Sequence, residues 1–540
     1  MTIYKIKINN RNYIDYNYYD SNGQVDIDIN PVENKLFNED TFYINKNKTI
    51  TIVNSPIKTL YEIPGVLILN NNKSFGRIKN KLLYKCIPND KSLPSFLIPY
   101  EIKHVGFSKV LNNIFILFSF EEWSGKHPHG ILKNVLGNVN DLDIFYEYQL
   151  YCKNINTSIN NFTKKTNEFL KNNNLFDIDL EKRTNIYTID PEGSLDYDDG
   201  FSIIQLEDNI IKLSIYISNV SIVLDKLNLW TYFSNRISTI YLPNKKKSML
   251  PPILSDELCS LKENTDRYAF TMDIFIKDKE ILEIKYSNCL INVTKNYFYE
   301  EDSLLNNSDY ILLLDTVKKL SENPINDSHE AVAYLMILMN YHCSKKMNEF
   351  KNGIYRITSF KEADSNLDLL PDNIKTTVKT WLSNSGKYIE HSDNLRHNIL
   401  NLESYLHITS PIRRIVDLLN MIKLQENLNM INLSNDSKIF YNNWINKIDF
   451  INDTFKAINK VQRDCSLLDL FTNLKNKIFD GYIINKETIN KYNVYLPELK
   501  LFSTINSLNE ITSFDKKQFK LFLFHDENQL KQKIKLQLIT

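Results

Sequence analysis

Four aspartates, Asp190, Asp196, Asp198 and Asp199, fall within ten residues in the segment TIDPEGSLDYDDG. Carboxylates this dense repel one another, so the segment folds only where a cation neutralises it or water solvates it. The preceding run, Thr184 to Ile189, reads as a short strand, and Gly193 with Ser194 suits a turn that brings the chain back on itself. Four hard oxygen donors at a strand end match Mg²⁺, which takes a few carboxylates together with waters and substrate phosphates. The bland alternative is a solvated acidic loop. The apolar run FSIIQL follows within two residues and argues against it, so the block reads as a metal site.

A chain of 540 residues suggests about three or four domains, and 43% hydrophobic residues with 29 Phe and 31 Tyr suffice for sizeable cores. Lys plus Arg equals Asp plus Glu, 65 each, so any basic surface is local rather than global. The six cysteines are scattered without a CxxC pair, which suits reduced thiols inside a cell and not a disulfide framework or zinc finger. The first twenty residues hold no apolar leader core, and nothing approaches a membrane span; the expectation is a cytoplasmic protein, with the nucleus as the other compartment. Asn, Lys and Ile are abundant and Gly numbers 12, a bias of an A/T-rich genome such as that of a protist or a large DNA virus. The Asn-rich stretches NNNKSF and KNNNL read as loops.

Short strands punctuated by Asn and Gly (YKIKI, QVDIDI, TFYI) fill the first 53 residues, and GVLIL, LLYKCI and IFILFSF mark a second β-rich stretch to about Cys152. Repeated short strands at this spacing suit small barrels. Ile155 to Glu181 reads as a polar helical linker. The stretch from about 182 to 468 mixes strands with long helices, the clearest being His329 to Met347, where Val332, Leu335, Met336, Met339 and Cys343 recur at helical spacing. Its methionines read as core filling. FDGYII, YNVYL, FKLFLF and IKLQLI then form a third small barrel.

Three further stretches bear on chemistry. In YLHITSPIRRIVDLL, Pro411 suits a helix's first turn, Thr409 or Ser410 can cap it, and Arg413 and Arg414 follow one turn in. A helix N-terminus with an arginine fork matches a phosphate. An arginine paired with Asp417 on the same helix is the competing reading, and the stretch alone does not separate the two. Tyr241 before the basic run Lys245 to Lys247 could stack a base while the lysines track a backbone, although core, turn and solvated surface account for the same residues. His127-Pro128-His129 has no third ligand in view and reads as a loop feature. Phosphate-loop, hydrolase-elbow and zincin motifs are absent.

Together these stretches resemble the RNB family, the ribonuclease II and R exoribonucleases and the exosome's catalytic subunit. The family's D-x5-D-x-D-D signature is matched by Asp190, Asp196, Asp198 and Asp199. Its YLP…MLP-x-x-LS-x-x-LCSL block runs from Tyr241 through Leu261 to Arg267, and its Y-x-x-x-TSPIRR-x-x-D block from Tyr405 to Asp417. Phe120 to Val139 is similar to the end of the second cold-shock barrel in the eukaryotic, exosome-type branch, and Asn452 to Leu470 to the helix closing the catalytic domain. There is no room for the endonuclease domain that some eukaryotic members carry.

The resemblance implies a multidomain α/β plus all-β fold. An RNB catalytic domain over 182–468 would be flanked by cold-shock-like OB domains at 1–55 and 60–155 and a C-terminal OB-like RNA-binding domain at 477–540. It implies Mg²⁺-dependent hydrolysis of single-stranded RNA from its 3′ end to nucleoside 5′-monophosphates by a two-metal in-line mechanism, with Mn²⁺ as a substitute ion. Asp190, Asp196, Asp198 and Asp199 would form the metal site, with Asp198 also catalytic. Arg413 would hold the scissile phosphate, and Tyr241, Tyr299 and Arg414 would contact RNA. The chain would act as a monomer or with RNA-decay partners.

Three departures bear on the pocket. The family's Glu pair is replaced at Ala333 and Tyr334 unless Glu330 substitutes, its His-x-Ala-Asp reads Tyr216-Ile217-Ser218-Asn219, and its HFGLGL run reads His397 to Leu402 without glycines. The alternatives are a catalytically silent RNB-type RNA-binding regulator and a scaffold for decay factors; retention of all four aspartates favours the enzyme.

Overall fold

The computed structural model describes residues 2–102, 111–171, 175, 178–359, 370–382, 386–474, 477–526 and 530–539. Asn172 to Asn174 of the expected KNNNL loop, and residues 176–177 of the expected linker, lie outside them; the linker's described helix is Asn160–Leu170. The chain divides into two compact units, one formed by 1–156, 242–244 and 460–540, the other by 157–241 and 245–459.

The first unit holds three sheets of one plan. Strands Tyr4–Ile8, Tyr16–Asp20, Gly23–Val25, Thr41–Ile44 and Ile50–Asn54 lie in the order third, second, first, fourth, fifth. Alternation along Tyr4–Ile8 turns Ile6 and Ile8 inward while Lys5 and Lys7 face out. Ile478–Thr488, Lys491–Leu496, Leu501–Asn506, Lys516–His525 and Gln532–Leu538 repeat that order. Gly481 is required there, because a Cβ would sit 2.5 Å from Leu496 and 2.8 Å from Phe519. In the second sheet the pairing of Ile63–Leu67 with Lys81–Pro88 closes a ring through Phe96–Tyr100, His129–Asn138 and Ile114–Glu122. All three follow the strand order of the five-stranded OB fold. The first and third ladders are five-stranded sheets whose third and fifth strands stand at the two edges. In the first, the expected strand QVDIDI pairs only through Gln24 and Val25, and Ile29 N–H turns back to the Ile27 carbonyl.

The second unit is built on a closed five-stranded barrel of Glu181–Asp190, Asp199–Gln205, Ile210–Ser218, Asp266–Lys277 and Glu280–Phe298. Glu181–Asp190 runs parallel to Glu280–Phe298 and seals it. Phe201, Ile203, Leu213, Ile215, Met272 and Ile274 pack there with Leu335 and Met339 of the helix Ser328–Glu349 and Leu424 of the helix Ile415–Asn427. Asp327 starts the first of these helices by accepting the Glu330 N–H at 2.8 Å, and the Glu330 carboxylate accepts the Asn326 N–H at 2.7 Å. Glu330 is therefore committed to the cap. No helix among the described residues is long and apolar enough to cross a membrane, and all six cysteines are free.

Candidate active site

The acidic segment is the connection between the first two barrel strands. Asp190 ends one strand and Asp199 begins the next, opposite Ile217. Between them the Ser194 N–H closes a turn on the Pro191 carbonyl at 3.1 Å, with Gly193 at φ +79°. The LCSL block clamps this loop from behind: buried Ser260 accepts the Tyr197 N–H at 3.0 Å and donates to the Leu195 carbonyl at 2.8 Å. Arg267 donates from Nε to the Ser260 carbonyl at 2.9 Å and from Nη2 to the Glu257 carbonyl at 2.9 Å. That block's work is to hold the acidic loop in place.

A pocket of about 440 Å³ gathers Asp190, Asp196, Asp198, Asp199, Tyr241, Tyr299 and Arg413. Its remaining wall includes Val332, Ala333 and Met336 of the helix Ser328–Glu349, so the face where the family's Glu pair was sought is apolar. Met336 thus lines the pocket, while Met339 fills the core as expected.

The four carboxylates are not equivalent. Asp198, 2% exposed, accepts the Ile412 N–H on Oδ1 and the Arg413 Nε–H on Oδ2, both at 3.0 Å. Burial pushes its carboxyl up to about 7, although Arg413 and the Ile412 N–H pull it back. The same pairing holds the Arg413 guanidinium charged against the cost of its burial. Asp196 is held by Lys246, whose ammonium lies 3.0 Å from Asp196 Oδ1 and 3.0 Å from Asp256 Oδ1; the Tyr241 hydroxyl reaches Asp196 Oδ2 at 3.4 Å. Asp190 and Asp199 each keep one buried oxygen, Oδ2, with no hydrogen-bond partner. Both are raised in pKa, first by burial, and Asp190 next by the charges of Asp199 and Asp198. As they stand, no three His, Cys, Asp or Glu side chains among the described residues converge on one ion position.

Tyr241 is 43% exposed at the pocket mouth. Tyr299 stacks on His329 with ring centroids 3.7 Å apart and 13° between planes, and burial, then Asp199 and Asp190, push its phenol up to about 12. Sequence reasoning missed His329 and Lys246. The first carries no local signal; the second lies in a three-lysine run that reads as surface until its acidic partners are placed.

Arg414 is not among the residues that line the pocket; it donates from Nη2 to buried Asp417 at 2.9 Å, and of the two arginines it is Arg413 that lines the pocket. Neither Thr409 nor Ser410 caps a helix. The helix begins at Ile415, because Arg414 is extended (φ −139°) and bridges Ser238.

Residues 178–310 and 302–430 match the RNB domain, so the chain carries an RNB domain. DIS3-like exonuclease 2 of Schizosaccharomyces pombe is 29% identical over 234 residues, which are 40% of this chain and 25% of that protein. The match therefore spans about a quarter of that relative's length. Mycoplasma genitalium RNase R, solved with ribose-methylated single-stranded RNA, superposes with a TM-score of 0.70 at 17% identity over 99% of this chain and 100% of that one. Yeast Ssd1, described as a pseudonuclease, gives 0.60 at 14% identity over 93% and 78%. The fold is accordingly the mixed α/β RNB architecture of RNase R, which combines OB-type sheets with the RNB barrel.

Proposed function

We propose that this chain is a divalent-metal-dependent exoribonuclease that shortens single-stranded RNA from its 3′ end to nucleoside 5′-monophosphates. The observation that carries the reading is the pair of buried, unpartnered oxygens on Asp190 and Asp199 in one pocket with Arg413, Tyr241 and Tyr299. The relatives named as exonucleases and ribonucleases support the reaction class. The donor set fits Mg²⁺, which is commonly held by one or two carboxylates plus waters and substrate phosphates. Asp196 can join the set by exchanging Lys246 for the ion. Bound there, divalent cations supply Lewis-acid stabilisation of the charge that develops on the phosphate.

The chain's own residues do the rest. Asp198 fixes the Arg413 guanidinium through Nε, which leaves its two Nη groups to grip the scissile phosphate and the charge that builds on it. Exposed Tyr241 stacks on the 3′-terminal base, and Tyr299, backed by His329, offers a second aromatic surface. Recognition through stacking, phosphate and ribose leaves base sequence unread. The free thiols fit action inside a cell, alone or in an RNA-decay assembly.

A second reading, an RNA-binding protein without cleavage, draws on the basic partners already seated on Asp196 and Asp198 and on the Ssd1 likeness. One assay separates them. A 5′-labelled single-stranded RNA incubated with Mg²⁺ should give a ladder of shortened products with wild type and none with Asp198→Asn. Binding without shortening in both sinks the enzyme reading. Tyr241→Ala should weaken RNA binding about tenfold by fluorescence anisotropy, the scale of one lost base stack; unchanged affinity removes Tyr241 from the RNA path.

A further inference from the structure

Asp417 lies wholly buried on the helix Ile415–Asn427 and outside the pocket lining, yet its carboxylate is connected to the pocket by a short chain of hydrogen bonds. Its Oδ1 accepts the Ser410 N–H at 2.8 Å and the Arg414 Nη2–H at 2.9 Å. The Ser410 carbonyl accepts the N–H of Arg413 at 3.2 Å and of Arg414 at 3.0 Å, which closes residues 410–414 into a turn. From that turn Ile412 N–H and Arg413 Nε–H reach the two oxygens of Asp198. The other edge of the turn is held by the segment leading to Tyr241: Ser238 Oγ and Thr239 N–H both donate to the Arg413 carbonyl, at 2.9 and 3.0 Å.

The neighbouring pins are neutral. Asn340 accepts the Ile408 N–H at 2.9 Å, and Asn420 donates to the His407 carbonyl at 2.9 Å. Only at residues 410–414 is the pin a carboxylate, and its second oxygen is buried without a partner. A buried carboxylate with an idle oxygen is a costly way to stabilise a turn. Its charge does fix Arg414 against the far side of the turn and so keeps the second arginine away from Asp198.

We propose that Asp417 is a positioning residue for cleavage: through Ser410 and Arg414 it sets where Ile412 N–H and Arg413 meet Asp198. The inference rests on the exoribonuclease reading and deepens it. A displacement of about 1 Å at a reacting centre costs on the order of 10²-fold in rate.

The test is a double-mutant cycle on the full chain, with rates referred to the folded fraction. Asp417→Ala should lower kcat about 10²-fold with KM changed less than about threefold, since Tyr241 and Tyr299 remain in place. In an Arg413→Ala background the same change should cost less than about threefold more, because the group it positions is already gone. Asp417→Asn keeps an acceptor for Ser410 and gives up the charge on Arg414; it should lose about tenfold, coupled to Arg413 in the same way, and it carries the test if Asp417→Ala does not fold. Equal losses in the two backgrounds, or a loss confined to KM, overturn the proposal. AMP with Mg²⁺ provides the same cycle by calorimetry without turnover: Asp417→Ala should weaken AMP about tenfold in the wild-type background and less than about twofold beside Arg413→Ala. A chain that shows this coupling but does not shorten RNA refutes the exoribonuclease reading and leaves the positioning role standing. Additive losses in AMP affinity refute the positioning role alone.

Discussion

Asp190→Asn combined with Asp199→Asn is expected to reduce turnover of single-stranded RNA by at least about 10³-fold while leaving RNA affinity unchanged or slightly tighter. These are the two carboxylates with an idle buried oxygen, whereas Asp196 and Asp198 already have cationic partners. Asparagine fills the same volume and removes the charge that a divalent cation needs. Removing two negative charges beside the phosphate path lowers repulsion toward RNA, so binding in EDTA should not suffer. Single-turnover shortening of a 5′-labelled RNA measures the first effect, and anisotropy measures the second. Asp196→Asn should cost less than the double variant, since Asp196 must release Lys246 before it can ligate. A double variant that keeps a tenth of wild-type turnover would falsify the assignment of these two as the metal donors.

The acidic block was legible in sequence because a strand, a glycine turn and an apolar strand surround it, and those local signals survive in the barrel hairpin. Arg413 was legible as a residue but not in its setting. Thr409, Ser410 and Pro411 look like a helix start, yet the buried Asp417 takes the Ser410 N–H and the Ser238 bridge holds Arg414 extended, so the helix waits until Ile415. Local capping propensity lost to long-range bonds. The same competition cut QVDIDI short, where Asp26 and Asp28 alternate with apolar residues but no neighbouring strand extends past Val25. In the third sheet, Leu501–Asn506 passed unseen because its Ser503 and Thr504 are polar and its ladder partner Lys491–Leu496 is what defines it. Lys246 was opaque for a further reason. A lysine's role depends on which carboxylates come within 3.0 Å, and Asp196 is fifty positions away in sequence.

Raising the pH from about 6.5 to about 8.5 in EDTA is expected to lower the melting temperature of the unit that carries the barrel, and Mg²⁺ is expected to restore it most at the high end. Asp198 is held up to about 7 by burial against an ordinary value of 3.8, and Asp190 and Asp199 are raised in the same direction by burial. An acid raised on folding binds more protons folded than unfolded between the two values, so its contribution falls as pH rises through that interval and is fully unfavourable above it. This is opposite in sign to an aspartate stabilised by a salt bridge. His342, His397 and His407, all lowered by burial, work the other way, but only below their ordinary value of 6.5, which sets the lower end of the window. An ion that binds only the folded state at a hundred times its Kd adds about 2.7 kcal/mol, worth several degrees for a unit of this size. Because protons compete for the same oxygens, that gain should shrink toward pH 6.5. Differential scanning calorimetry across the window, with EDTA and with Mg²⁺, checks both signs. Asp190→Asn with Asp199→Asn should reduce the pH dependence to the part that Asp198 carries and abolish the Mg²⁺ response, since these two carboxylates bind both the protons and the ion. A melting temperature that climbs with pH in EDTA, or an undiminished Mg²⁺ shift in that variant, would show that the ion binds elsewhere.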